Sequence, residues 1–284
     1  MYNNFYGFRE LPFNQTPDSS FFFPSEKHKT ALDALVYAIK QRKGFVVVTG
    51  EIGSGKTTVS RTLLKKLGSD IRSAVITNTF LTPKGILTLI LEDLGVAYQS
   101  GSKDRLLVQL NNFLIEQARQ NQDIVLLIDE AQNLSPQCLE EVRMLSNLET
   151  EKDKLLQIIL IGQPELRRKL EMTRLEQFRQ RISIHYHLEA LNFDETKRYI
   201  LHRLNHAKTN GRDMSSIFEP ETFKLIYQFS HGLPRLVNKL CDHALFTGFV
   251  ADRSSISASM IDEAINELRF REERKNEQIF QSTR

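Results

Sequence analysis

Residues 45–57 read FVVVTGEIGSGKT, a β-branched apolar run, a glycine-rich turn and the start of the helix-period stretch KTTVSRTLLKKL. Within it, Gly50 through Thr57 match the pattern G-x-x-x-x-G-K-[ST], which average residue frequencies would produce by chance in a chain this long roughly once in 100. The glycines let the backbone turn so tightly that successive N–H groups face one phosphate, and the following helix adds its positive N-terminal end. The pattern predicts a nucleotide cradle built from Gly50, Glu51, Ile52, Gly53, Ser54, Gly55, Lys56, Thr57 and Thr58. Lys56 is aimed at the β and γ phosphates, and the Thr57 hydroxyl is a Mg²⁺ ligand. ATP and Mg²⁺ are therefore the expected ligands.

Outward from this motif, apolar runs rich in Val and Ile recur at AVIT (74–77), IVLLI (124–128), LQIILI (156–161) and ISIHYHL (182–188), each separated by helix-period sequence. Nearly continuous apolar strands alternating with helices predict a parallel sheet covered on both faces. The expectation is an α/β P-loop core over 44–188. After Leu188 no strand-like run follows. Asn192 with Glu195 reads as a capping box, Pro220 as a first-turn proline, and further helices begin near Pro234 and Ser257. These predict an all-helical lid over 189–270, preceded by an aromatic linker over 1–43 and followed by a charged tail over 271–284.

The remaining candidates extend the nucleotide chemistry. IVLLIDEAQ ends a strand on adjacent acids, where open α/β sheets bind ligands. Asp129 is expected to hold Mg²⁺ and Glu130 to act as general base on the attacking water. Gln163 closes the strand LQIILIG; it either hydrogen-bonds the γ-phosphate or water, or simply starts the next helix with Pro164. Thr77 and Asn78 either restrain Glu130 or form a turn, with the turn preferred. Arg179 and Arg181, before the last strand, are candidates for an arginine that reaches a neighbouring subunit's γ-phosphate. Arg235, in GLPRLVNK, opens a helix from which it reports on bound nucleotide. His185 and His187 share one strand face without a third metal ligand nearby, which favours a sheet-margin reading.

The chain has 284 residues, 38 Lys+Arg against 35 Asp+Glu, 13 Gly and 8 Pro. That composition suits a globular protein with a sizeable core, excludes low-complexity and disulfide-framework classes, and leaves contact with nucleic acid open. Cys138 and Cys241 read as core residues of a reducing compartment. No signal peptide or membrane-spanning run is evident, so the expected location is cytoplasmic, or else peripheral at the inner membrane through a partner.

Taken in order, FYGFRELPFNQTPD, the P-loop, LLIDEAQNLS, EVRMLSNLE, LIGQPELRRKL and GLPRLVNKLCDHAL resemble the AAA+ ATPases. More narrowly they are similar to the general secretion pathway protein A (ExeA-like) family, over residues 1 to about 270. The resemblance implies ATP hydrolysis, ring-type self-association, Gln163 and Arg235 as sensors of nucleotide, and Arg181 or Arg179 as the arginine finger. It implies an envelope-assembly client for secretion, pilus or exopolysaccharide machinery, without direct membrane insertion. The alternative is an ATP-dependent DNA-binding regulator of the transposition type. Secretion members continue into a membrane anchor and a wall-binding domain, which the length of this chain is expected to leave no room for.

Overall fold

A computed structural model describes residues 2–68, 71–149, 154–209 and 214–282, with side chains as far as Phe270. In chain order the helices are α1 (Tyr2–Tyr6), α2 (Glu26–Lys40), α3 (Lys56–Lys66), α4 (Pro83–Asp93), α5 (Lys103–Arg119), α6 (Pro136–Leu145), α7 (Pro164–Leu170), α8 (Glu176–Arg179), α9 (Phe193–Ala207), α10 (Thr222–Ser230), α11 (Pro234–Val250) and α12 (Ala258–Ser282). The strands are β1 (Phe45–Gly50), β2 (Ile71–Ile76), β3 (Asp123–Ile128), β4 (Leu156–Gly162) and β5 (Ile182–Leu188). Two compact units result, one comprising Glu26–Glu51 and Lys56–Glu189, the other Met1–Ser25, Ile52–Gly55 and Ala190–Arg284. The first 43 residues are thus shared between the two.

In the first unit all five strands run parallel in the order β2-β3-β4-β1-β5. Every residue of β1 and β4 is buried, whereas the edge strand β5 alternates. That gradient is what covering both faces of a parallel sheet demands: central strands are apolar on both sides, and margins are not. The order has a consequence for chemistry. Gly50, Ile128 and Gly162 end three neighbouring strands, so motifs far apart in sequence meet at one edge of the sheet.

The second unit is helical. α9 begins with a complete capping box: the Asn192 side chain accepts from the Glu195 N–H at 2.8 Å, and the Asn192 N–H donates back to the Glu195 carboxylate at 3.0 Å. α10 starts at Thr222, not at Pro220. The Thr222 N–H and hydroxyl both bond the Glu219 carbonyl, which makes 219–222 a turn and leaves Pro220 outside the helix. The aromatic N-terminus is core here, with Tyr2, Tyr6, Phe8, Phe13 and Phe21 buried among residues of α9 to α12. Arg203, only 6% exposed, ties it down. Its guanidinium donates to the carbonyls of Pro12 (2.5 Å) and Asn14 (3.3 Å) and to the Tyr199 hydroxyl (2.9 Å), and stacks over Phe21.

Cys138 and Cys241 are both buried and unpaired in disulfides, and burial pushes the Cys241 thiol up. Among the described residues no helix is long and apolar enough to cross a membrane. The side chains of the charged tail at 271–284 lie outside the described residues.

Candidate functional site

The glycine-rich turn leaves β1 at Gly50 and enters α3 at Lys56. Gly53 and Gly55 take φ of +80° and +99°, values that only glycine adopts without strain. Lys56 is 7% exposed, and its ammonium donates to the Gly50 and Glu51 carbonyls at 2.8 and 2.9 Å. Burial pulls this ammonium below the usual lysine range, against the opposing pull of Glu130, Asp129, Glu51 and Glu165.

Asp129, 6% exposed, stands one residue beyond β3 and extends the ladder by donating its N–H to the Ile76 carbonyl at 2.9 Å. Its carboxylate accepts from the Thr57 hydroxyl at 3.1 Å and from the Glu130 N–H at 2.9 Å. Burial pushes the Asp129 carboxyl up, and those two hydrogen bonds only partly offset it. A buried carboxylate and a hydroxyl at this spacing form a hard-oxygen pair that fits Mg²⁺. Among the described residues no group of three or more His, Cys, Asp or Glu could hold a metal alone.

Glu130 has φ +51° and ψ +36°, a left-handed backbone that costs a non-glycine residue about 1 kcal/mol or more. Its carboxylate Oε2 accepts from the Gln132 Nε2 at 2.6 Å and the Gln163 Nε2 at 3.2 Å. Gln163 also precedes α7 as its cap residue, but its side chain makes no capping bond. The structure thus turns the Gln163 amide toward Glu130. Gln132, in the stretch IVLLIDEAQ, carries no local sequence signal that marks it as part of the site. Asn78 accepts from the Phe80 N–H, closing a turn, and the next residue, Thr79, reaches the Glu130 carbonyl at 3.2 Å.

The other candidates fall elsewhere. Arg179 is exposed and Arg181 half-buried, and both flank the start of β5, where Ile182 pairs with Phe45. Gly50 pairs with Leu188 at the opposite end of that strand. Seven residues of strand separate the two ends, about 20 Å, so neither arginine serves the acids of its own sheet. Thr58 lies in the first turn of α3, and its carbonyl accepts from the Thr62 hydroxyl. Within the helical unit, which includes Ile52–Gly55, the Arg235 N–H donates to the Gly53 carbonyl at 3.2 Å. His185 and His187 both contact the buried Thr49 hydroxyl, at 3.2 and 3.0 Å.

A glycine-rich turn, a buried lysine and strand-tip acids on a five-stranded parallel sheet, followed by a helical unit, are the architecture of the P-loop AAA+ fold. Residues 39–170 match the AAA domain family model. It is similar to general secretion pathway protein A of Aeromonas hydrophila, with 40% identity over 250 residues, 88% of this chain. It spans 45% of that relative's length. Among solved structures, the Aeropyrum pernix ORC1 protein in complex with DNA aligns over 93% of this chain and 70% of its own, with a TM-score of 0.68 and 17% identity. Drosophila ORC bound to DNA aligns over 91% and 65%, at 0.66 and 18%. The Thermotoga maritima RuvB branch migration motor aligns over 90% and 73%, at 0.60 and 19%. At these identities the structural likeness speaks for the fold.

Proposed function

We propose that the chain binds ATP with Mg²⁺ and hydrolyses it, with Glu130 as the base that takes a proton from the attacking water. The observation that carries this is the Glu130 carboxylate, held by two amides one residue beyond the Asp129–Thr57 pair. Lys56 would exchange its two loop carbonyls for phosphate oxygens, which replace a partial charge with a full one. Thr57 and Asp129 would hold the ion. When bound, it neutralises charge on the phosphoryl oxygens. Gln163 would hydrogen-bond the γ-phosphate or water beside Glu130. Arg181, or Arg179, would complete the site of a neighbouring copy, because the acids of its own sheet lie at the opposite ends of the strands. Arg235, at the start of α11, would couple nucleotide state to the helical lid.

At 40% identity to a general secretion pathway protein, the favoured role is energy coupling in assembly of an envelope system, from the cytoplasmic side and through a protein client. Replacing Glu130 by Gln tests the base. Nucleotide binding is expected to persist while turnover falls by on the order of 10²–10⁴; undiminished hydrolysis would overturn the assignment. Tight ATP-dependent retardation of duplex DNA in a gel shift would overturn the envelope role in favour of a DNA regulator.

A further inference from the structure

The Glu130 carboxylate belongs to a closed circuit of hydrogen bonds whose key member is Gln132. That residue sits in the short 3-10 turn Ala131–Asn133, directly after Glu130. Its Nε2 donates to Glu130 Oε2 at 2.6 Å, and its Oε1 accepts from the Gln163 backbone N–H at 3.0 Å. The Gln163 Nε2 donates to the same Oε2 at 3.2 Å and closes the circuit. The orientation of the Gln132 amide follows from its partners. Reversed, it would set oxygen against carboxylate and N–H against N–H.

Three features around the circuit keep Gln132 in place. The Lys169 ammonium donates to the Gln132 carbonyl and, at 2.8 Å, to the Leu134 carbonyl, so the backbone of the turn is pinned from α7. Gly162, the last residue of β4, leaves room for the amide. A Cβ there would lie 2.9 Å from Gln132 Oε1 and 2.9 Å from a Leu166 methyl. Glu130 itself has a left-handed backbone, and its carboxylate meets the Gln163 amide at the tip of β4. The donors are neutral, so they fix the carboxylate without cancelling its charge, as a lysine or arginine in the same place would.

We propose that Gln132 is a positioning residue for ATP hydrolysis. It holds Glu130 Oε2 and ties it to the tip of β4, so that Oε1 is the oxygen presented to the attacking water. Through the same amide, movement of the Gln163 backbone is transmitted to the base, making the β3 and β4 tips one unit. The inference rests on Glu130 as the base.

Two variants separate the roles of the amide. Gln132→Met keeps the length and removes both hydrogen bonds. Gln132→Glu keeps an acceptor for the Gln163 N–H but sets oxygen against the Glu130 carboxylate. Both are compared with Glu130→Gln by single-turnover hydrolysis, nucleotide binding and thermal unfolding. The expected result is a fall in kcat on the order of 10–100-fold for Gln132→Met and more for Gln132→Glu, because a base misplaced by about 1 Å loses about that much. ATP affinity should stay within about threefold, since the lost interaction acts in the transition state. Adding Gln132→Met to Glu130→Gln should then cost nothing further. Full turnover in Gln132→Met beside an inactive Glu130→Gln would overturn the positioning role and leave the base intact. Losses of affinity and melting temperature that account for the fall in kcat would also overturn it, by making Gln132 structural. Undiminished turnover in Glu130→Gln would instead remove the base assignment on which the inference rests.

Discussion

Both units bury polar groups, but they employ them differently. In the α/β unit the buried Lys56 opens α3 and the buried Asp129 follows β3, and burial displaces the pKa of each toward its neutral form. In the helical unit the buried Arg203 spends its donors on carbonyls of the N-terminal segment and on Tyr199. A charge held only by carbonyls of its own adjoining loop can exchange them for a ligand; a charge held by carbonyls of a distant segment ties that segment down. Burial alone therefore does not mark a candidate site, and where the partners come from does.

The sharpest way to break this contrast lies at the margin of the core. Arg181→Ala should lower hydrolysis by on the order of 10³-fold while each copy still binds ATP, because a finger arginine acts only on the transition state. Steady-state ATPase rates as a function of protein concentration check this; full activity would move the role to Arg179 or off this segment. Next, Lys56→Ala should weaken ATP binding by on the order of 100-fold. Its melting temperature without nucleotide should not fall, since the variant removes a buried charge. A large drop in stability would make Lys56 a tie like Arg203.

Arg203→Met should do the reverse. It strands the Pro12 and Asn14 carbonyls at a cost of about 2–4 kcal/mol, read as a lower denaturant midpoint and faster proteolysis within residues 2–25. ATP affinity should be unchanged, and a parallel loss of affinity would dissolve the distinction. The smallest effect concerns Tyr6, whose hydroxyl donates to the Arg253 carbonyl at 3.0 Å. Burial pushes its pKa from 10.0 to about 12. A raised pKa makes a contribution that is complete below pH 10 and is lost between about 10 and 12 as the unfolded chain ionises first. Tyr6→Phe should cost about 1 kcal/mol at neutral pH and flatten the alkaline limb of the unfolding curve. An unaltered limb would assign that limb to other groups.

Much of the site was legible because its parts are local. The P-loop is one covalent stretch, the Asp129–Glu130 pair ends one apolar run, and the Asn192 capping box spans four residues. What escaped was non-local. Gln132 looks like any polar residue after a strand until β3 and β4 are known to be neighbours and Gly162 is seen to make room for it. Arg203 reads as one more surface charge in an amphipathic helix. Its burial needs residues 12–14 to return across α9, and no spacing rule encodes that. Pro220 misled by two residues because a Glu219 carbonyl captured both donors of Thr222.

By itself the sequence determined the fold class and the local motifs of the candidate site. Strand period, glycine spacing and adjacent acids each act within a few residues, where covalent geometry leaves little choice. Only the tertiary structure decided which groups meet. The order β2-β3-β4-β1-β5 sets the tips of β3, β4 and β1 side by side. The same parallel sheet sends Arg179 and Arg181 to its other edge. Those juxtapositions depend on how strands are paired across more than a hundred residues, and pairing is settled by burying the whole apolar sheet at once.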